Sequence, residues 1–213
     1  MLAHPPTAFR DRPDRDTLIL DYHATIAAVG LPLILFYLYE EAGGVRYETE
    51  TLSRLLERPE VLGIKVATLD SVITFHDLAS LIEAAAPGKV LITGEDRFLG
   101  YSLMCGARAA LIGMGAACTS LQAALLHSFR SGPAAEFLRL SRLVDDLARH
   151  TFLAPMEGYI QRMLWCLVLQ GVLSPEAAHD PWGPALDPTE FTRLGQCLRR
   201  ILDEGAGLAE SPP

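Results

Sequence analysis

The segment "PEVLGIKVATLD", residues 59–70, is an apolar run with Lys65 near its end. The segment 61–67 has the length of a strand and is apolar on both faces, which is typical of a buried strand in a parallel sheet. In parallel α/β proteins the carboxyl ends of the strands carry the active site. Partial burial there lowers the pKa of a lysine, and its neutral amine is a nucleophile that forms Schiff bases. The alternative is that Lys65 reaches out to solvent from the strand end.

Helical and strand-like patterns alternate on both sides of this run. Strands are predicted at 31–39, 61–67, 90–94 and 109–115, and "MLAHPPTAF" at the start is a candidate fifth. Helices are predicted at 14–30, 48–60, 69–89, 97–106 and 119–131. The spacing from strand to strand is roughly 20–30 residues, the length of one βα unit, and it predicts the α/β class with a parallel sheet. After Gly132 and Pro133 three further helices are predicted at 134–150, 156–172 and 188–204.

Composition narrows the functional class. The chain has 213 residues, 50% of them hydrophobic and 21% charged, and a formal net charge of −8. This charge disfavours binding to nucleic acid, and the apolar runs are too short to cross a membrane, so a soluble cytoplasmic protein is predicted. Four cysteines lie far apart without a C-x-x-C pair, and we interpret them as reduced core thiols. Five of the six histidines lie scattered without metal-ligand spacing, and we interpret them as surface or packing residues: His23, His76, His127, His150 and His179.

The pattern around Lys65 resembles that of the dihydrodipicolinate synthase and N-acetylneuraminate lyase superfamily, whose segment reads P-x-[IV]-[VL]-G-[IV]-K-x-[AST]-x-x-D. The chain is similar to that superfamily over roughly residues 15–200. Further similar segments are "LPLILFYLY" (31–39), "ETLSRLL" (50–56), "VLITGEDRFLGYSLMCGARAALIGMGAACTSL" (90–121) and "APMEGYIQRMLWCLVLQGVL" (154–173).

The resemblance implies a (β/α)₈ barrel of which this chain holds about strands 4–8. We therefore expect a partial barrel over 1–132, a C-terminal extension of three helices over 133–205 and a disordered tail over 206–213. The implied activity is that of a Schiff-base-forming lyase or aldolase, with Lys65 attacking pyruvate or a related 2-oxo acid and with no metal or organic cofactor. A homodimer or homotetramer is implied for the full-length protein.

The resemblance also implies a tyrosine that shuttles protons, and its position depends on the direction of the count. Counting forward from Leu31 and Pro32 puts Phe36 there, whereas counting backward from Lys65 puts Tyr37 there. The backward count runs through matched motifs without a gap, so Tyr37 is the predicted catalytic partner of Lys65. Because Tyr39 shares a strand face with Tyr37, it is one alternative. The other is that both tyrosines are core or helix-packing residues.

Four residues at strand ends are the predicted substrate-binding set: Thr68, Gly94, Glu95 and Gly113. Glu95 and Asp96 form a carboxylate pair that suits substrate hydroxyl or ammonium groups, or that favours a helix N-terminus. Glycines leave room for a ligand or for close packing. Thr68 is either a ligand contact or a helix cap, and Asp70 is predicted to be a cap.

The sequence departs from the family pattern at its start. A Thr-Thr pair that belongs to the end of the second barrel strand has no counterpart, and Pro6 and Thr7 stand where the family has two tyrosines. We therefore expect an N-terminally truncated chain, with roughly 90–110 further residues encoded upstream of Met1. The second hypothesis is a catalytically incompetent remnant that binds a partner or a small acid.

Overall fold

A computed structural model of the chain describes residues 1–69 and 71–204. The predicted cap Asp70 and the predicted tail 206–213 lie outside the described residues. The described part forms two compact units, one of residues 1–111 and one that begins at Ile112. The predicted boundary after residue 132 falls between two helices and stays a prediction.

A parallel sheet of five strands forms the centre of the first unit, in the order β1-β2-β3-β4-β5. The strands are β1 Leu2–Ala3, β2 Leu33–Leu38, β3 Val61–Ala67, β4 Val90–Thr93 and β5 Ala109–Ala110. The candidate fifth strand at the start of the chain is confirmed as β1. The last strand is shorter than predicted, because the chain leaves the sheet after Leu111 and turns at Gly113–Ala116.

Helices connect successive strands, as the alternating pattern predicted. They are α1 Arg15–Ala27, α2 Thr49–Leu56, α3 Val72–Ala85 and α4 Leu99–Met104. The short helix α2 buries Leu52, Leu55 and Leu56 on one face. Their spacing of three and four residues is the helical pattern on which the prediction was based. Helix α3 begins later than predicted, after Ser71, whose hydroxyl accepts a hydrogen bond from the Thr74 amide.

The two faces of the sheet differ in burial. In β2 and β3 one face is fully buried and carries Leu35 and Ile64, which lie side by side. The opposite face carries Phe36 and Lys65, also side by side and only partly buried. We call this second face the Lys65 face. Because side chains alternate along a strand, each residue of β2 and β3 is assigned to one face by its register.

The second unit is helical. Its helices are α5 Thr119–Ser131, α6 Ala134–Thr151, α7 Tyr159–Leu169 and α8 Pro188–Glu204. The last three are the helices predicted after Pro133. Helix α6 buries Leu140, Leu143, Val144 and Leu147 along one side, which is the stripe expected of an amphipathic helix.

The cysteines and histidines follow the sequence interpretation in part. All four cysteines are free; Cys118, Cys166 and Cys197 are buried and Cys105 is half-buried. His23 is buried against Tyr22 and Tyr47 and is therefore a packing residue. In the described ranges no helix is both long and apolar enough to cross a membrane. Those ranges also hold no cluster of three or more His, Cys, Asp or Glu side chains arranged to bind a metal ion.

Candidate active site

Lys65 lies near the carboxyl end of β3, as the sequence predicted. It is level with Phe36 of β2 on one side and with Ile92 of β4 on the other. Its Nζ atom stands over the Phe36 ring, 4.3 Å from the ring centroid. The amine is thus held against an aromatic surface on the open face of the sheet.

Burial and charge act on the Lys65 amine in opposite directions. Partial burial lowers its pKa below the ordinary value, because desolvation disfavours the ammonium form. The negative charges of Asp96 and, more weakly, Glu95 raise it. Burial is the larger effect, so the neutral, nucleophilic amine forms at a lower pH than in a solvent-exposed lysine.

Gly94 makes room for this lysine. Its amide donates to the Val66 carbonyl at 2.7 Å, which continues the β3–β4 ladder beyond Thr93. A Cβ atom at position 94 would lie 2.7 Å from Lys65 Cε and 2.9 Å from Ala67 Cβ. The glycine predicted from the sequence as a ligand contact therefore serves the placement of the Lys65 side chain.

Glu95 forms hydrogen bonds with the residues that follow β3. It is 1% exposed, and its carboxylate accepts hydrogen bonds from the amides of Thr68 and Leu69, the latter at 3.1 Å. Burial raises the pKa of Glu95 to about 7, although these hydrogen bonds act to lower it. Leu69 has a positive φ of 62°, so the carboxylate holds a residue in a conformation that L-residues rarely adopt.

Thr68 is bonded within the protein rather than left open to a ligand. Its hydroxyl oxygen is 3.0 Å from the Ser71 carbonyl oxygen and 3.0 Å from Glu95 Oε1. Both contacts are with acceptor oxygens, so the one hydroxyl hydrogen is shared between them. Like the two amides, the Thr68 hydroxyl acts to lower the pKa of Glu95 against the larger effect of burial.

The structure does not bring Tyr37 and Lys65 together. Tyr37 is level with Val66 on the fully buried face, and its ring packs 6.1 Å from the ring of Tyr47. Burial raises its pKa. Tyr39, the alternative, lies one residue beyond the end of β2. The register instead puts Phe36 beside Lys65, which is the outcome of the forward count.

Gly113 is the fourth residue of the predicted substrate-binding set, and Asp96 is the partner of Glu95 in the predicted carboxylate pair. Gly113 belongs to the second unit, where the Tyr159 hydroxyl occupies the space that a Cβ would take, at 1.8 Å, so packing accounts for this glycine. Asp96 is buried after β4, close enough for its charge to act on Lys65.

His4 is the site residue that the sequence analysis missed. It follows β1, and its ring meets the Phe36 ring edge-on with centroids 6.0 Å apart. Since Leu2 is level with Ile34, alternation puts His4 on the Lys65 face. The available signal was its position directly after a candidate strand, where the carboxyl ends of the neighbouring strands also lie.

The family model and the curated relative that match this chain belong to the same family. Residues 9–196 match the model of the dihydrodipicolinate synthetase family. A 4-hydroxy-tetrahydrodipicolinate synthase of Hyphomonas neptunium is 28% identical over 170 residues, which are 79% of this chain and 55% of the relative. The chain thus spans about half the length of that curated relative.

Two solved structures show the same fold. The sialic acid aldolase of Ruminococcus gnavus superposes with a TM-score of 0.77 at 18% identity, covering 97% of this chain and 66% of the aldolase. YagE, a dihydrodipicolinic acid synthase family protein of E. coli K12 solved with pyruvate, superposes with a TM-score of 0.76 at 21% identity, covering 87% and 61%. The five-stranded sheet and its helices are therefore part of the barrel fold of these proteins.

Proposed function

This chain belongs to the dihydrodipicolinate synthetase family, and from that premise we propose that it is a Schiff-base-forming lyase or aldolase acting on pyruvate or a related 2-oxo acid. The observation that carries the proposal is the environment of Lys65. Its amine is half-buried on the open Lys65 face, and burial lowers its pKa. A desolvated amine of this kind is the usual nucleophile for a keto carbon.

The reaction starts with the neutral Lys65 amine attacking the keto carbon of the 2-oxo acid. The carbonyl oxygen takes up a proton, the carbinolamine loses water, and an iminium ion remains on Nζ. The iminium withdraws electrons from the neighbouring carbon, which stabilises the carbanion equivalent formed when a C–C bond is made or broken. Gly94 supports this role by leaving space for the lysine side chain.

Glu95 and Thr68 contribute by position. They tie the end of β3 to the end of β4 through hydrogen bonds, and so they fix the backbone next to Lys65. The neighbour from E. coli K12, which was solved with pyruvate, supports a 2-oxo acid as the substrate class. The cytoplasmic location and the homodimer or homotetramer predicted from the sequence remain part of this proposal.

The test uses the small number of lysines. The chain has two, Lys65 and Lys89. Lys89 Nζ donates to the carbonyl oxygens of Arg58 and Val61, at 3.0 and 2.6 Å, so it has a structural role and is the matched control. With pyruvate and borohydride the protein and Lys89→Arg should each gain one reduced adduct, and Lys65→Arg should gain none.

Two outcomes would contradict the proposal. An adduct that persists in Lys65→Arg and disappears in Lys89→Arg would move the chemistry to the other lysine. Failure of the unmodified chain to form an adduct with pyruvate and a broad panel of 2-oxo acids would exclude the Schiff-base mechanism and favour a protein that only binds.

A further inference from the structure

His4, Phe36 and Lys65 form one row across the Lys65 face. Phe36 and Lys65 are level in adjacent strands, and the His4 ring meets the Phe36 ring edge to face. The ring of Phe36 is 4.3 Å from Nζ and 6.0 Å from the His4 ring, so Nζ and the imidazole are separated by no more than about 10 Å. In this row, which Ile92 and Ala109 continue, the titratable members are His4 and Lys65.

The hydrogen bonding of His4 identifies its basic nitrogen. Nδ1 is 2.8 Å from the carbonyl oxygen of Pro5. Because a carbonyl only accepts, Nδ1 carries the hydrogen, and Nε2 of the neutral ring then has the free electron pair. The backbone thus fixes the tautomer in which Nε2 is the base.

Three other polar side chains of this region are bonded within the protein or lie on the opposite face of the sheet. The carboxylate of Glu95 is bonded to the amides of Thr68 and Leu69, and the Thr68 hydroxyl is bonded to Ser71. The phenol of Tyr37 is on the opposite face. The apolar Phe36 ring, which both Nζ and the His4 ring contact, offers a surface for the carbon chain of a substrate that starts at Nζ.

We propose that His4 is a further catalytic residue, which exchanges a proton with the 4-hydroxyl group of a 4-hydroxy-2-oxo acid bound to Lys65. The inference rests on the proposed Schiff-base function. From Nζ through the imine carbon to the 4-oxygen an extended chain measures about 5 Å, at roughly 1.5 Å per bond before zigzag. A hydrogen bond adds about 3 Å, so the substrate and one hydrogen bond span about 8 Å from Nζ, against a separation between Nζ and the imidazole of at most about 10 Å.

Cleavage converts the 4-hydroxy-2-oxo acid bound to Lys65 into an aldehyde and pyruvate. Nε2 of His4 takes the proton from the 4-hydroxyl oxygen, whose electrons form the new carbonyl bond at C4. The C3–C4 bond breaks, and its electron pair enters the iminium to give an enamine on Nζ. An aldehyde leaves, the enamine is protonated at C3, and water hydrolyses the resulting imine to pyruvate and free Lys65.

The experiment separates the roles of the two nitrogens of His4. His4→Asn keeps a donor near the Nδ1 position and removes Nε2, and His4→Gln places an amide near the Nε2 position without its basicity. The control is His76→Gln, on the exposed side of α3. Each variant is tested for the borohydride adduct with pyruvate and for single-turnover release of aldehyde from 4-hydroxy-2-oxopentanoate and 4-hydroxy-2-oxoglutarate.

Both His4 variants should keep the pyruvate adduct, which also reports that they are folded, and lose cleavage by roughly 10²–10⁴-fold. His76→Gln should retain both activities. Cleavage at the normal rate in His4→Asn and His4→Gln would overturn the inference, as would an unmodified chain that traps pyruvate but cleaves neither probe. Absence of the pyruvate adduct in the unmodified chain would instead refute the proposed function, and the role of His4 with it.

Discussion

A Cβ atom on Gly94 would lie 2.7 Å from Cε of Lys65. This distance is shorter than a contact between carbon atoms allows. The added Cβ would also lie 2.9 Å from Ala67 Cβ, so it cannot move away from Lys65 in that direction. The glycine at the end of β4 and the lysine of β3 are therefore a matched pair, in which the missing side chain of one provides the volume for the other.

Gly94→Ala should displace the Lys65 amine. Because a displacement of about 1 Å at a reacting group costs roughly 10²-fold, we expect pyruvate adduct formation to slow by about that factor. Gly88→Ala is the matched control, since a Cβ there meets no atom within 4 Å. Timed trapping with borohydride measures the rate in both variants. Equal rates for the two would show that the Lys65 side chain has another conformation open to it.

The rate of imine formation should depend on pH through Lys65. Its pKa is lowered by burial, so the neutral amine is reached at a lower pH than for an ordinary lysine. We expect the adduct rate to rise with pH and to level off below the ordinary lysine pKa. Asp96→Asn removes a charge that raises the Lys65 pKa, so the profile should shift to lower pH. A profile unchanged in Asp96→Asn would contradict this electrostatic assignment.

Glu95 should make the fold less stable as pH rises. Its pKa in the folded state is about 7 against an ordinary 4.5, so the folded protein favours the protonated acid. That stability is fully present below the unfolded pKa and is lost as pH rises through the folded pKa; the loss is up to about 3 kcal/mol. Urea unfolding between pH 4.5 and pH 8 measures it. The slope should be absent in Glu95→Gln, and a slope that persists there would assign the effect to another group.

The buried ion pair of the second unit should dominate its stability. Arg162 is fully buried, donates to Glu190 Oε2 at 2.7 Å and also donates to the Leu153 and Pro155 carbonyls. Arg162→Met leaves these acceptors without a partner and should cost about 3–5 kcal/mol. Arg142 pairs with Glu204 on the surface, and Arg142→Met should cost less than about 1 kcal/mol. Similar unfolding midpoints for the two variants would contradict the distinction.

Local patterns predicted the helices and strands and the position of Lys65 near a strand end, because each of these depends on a short run of sequence. The strand around Lys65 is apolar on both faces, and its fold environment follows from that run alone. The contacts between Thr68 and Glu95, or between His4 and Phe36, join residues far apart in the chain and have no local signal. The role of Tyr37 in proton transfer stays a prediction, and the sequence leaves Phe36 and Tyr37 open for another reason. A shift of one residue moves a side chain to the other face of a strand, and motif counting from two directions does not resolve one residue.

Phe36 and Tyr37 are neighbours on opposite faces of β2, and substitutions at the two positions distinguish their roles. Tyr37 lies on the buried face, so Tyr37→Phe should change the single-turnover rate of pyruvate imine formation by less than about threefold. Phe36→Tyr places a hydroxyl on the ring that stands 4.3 Å from Lys65 Nζ, on the face where the imine forms. A phenol there can donate to and accept from the carbinolamine, so the rate should rise by about tenfold or more, within the usual range for proton-transfer groups. Loss of imine formation in Tyr37→Phe, with no gain in Phe36→Tyr, would restore the backward count and refute the face assignment on which the roles of Phe36 and His4 depend.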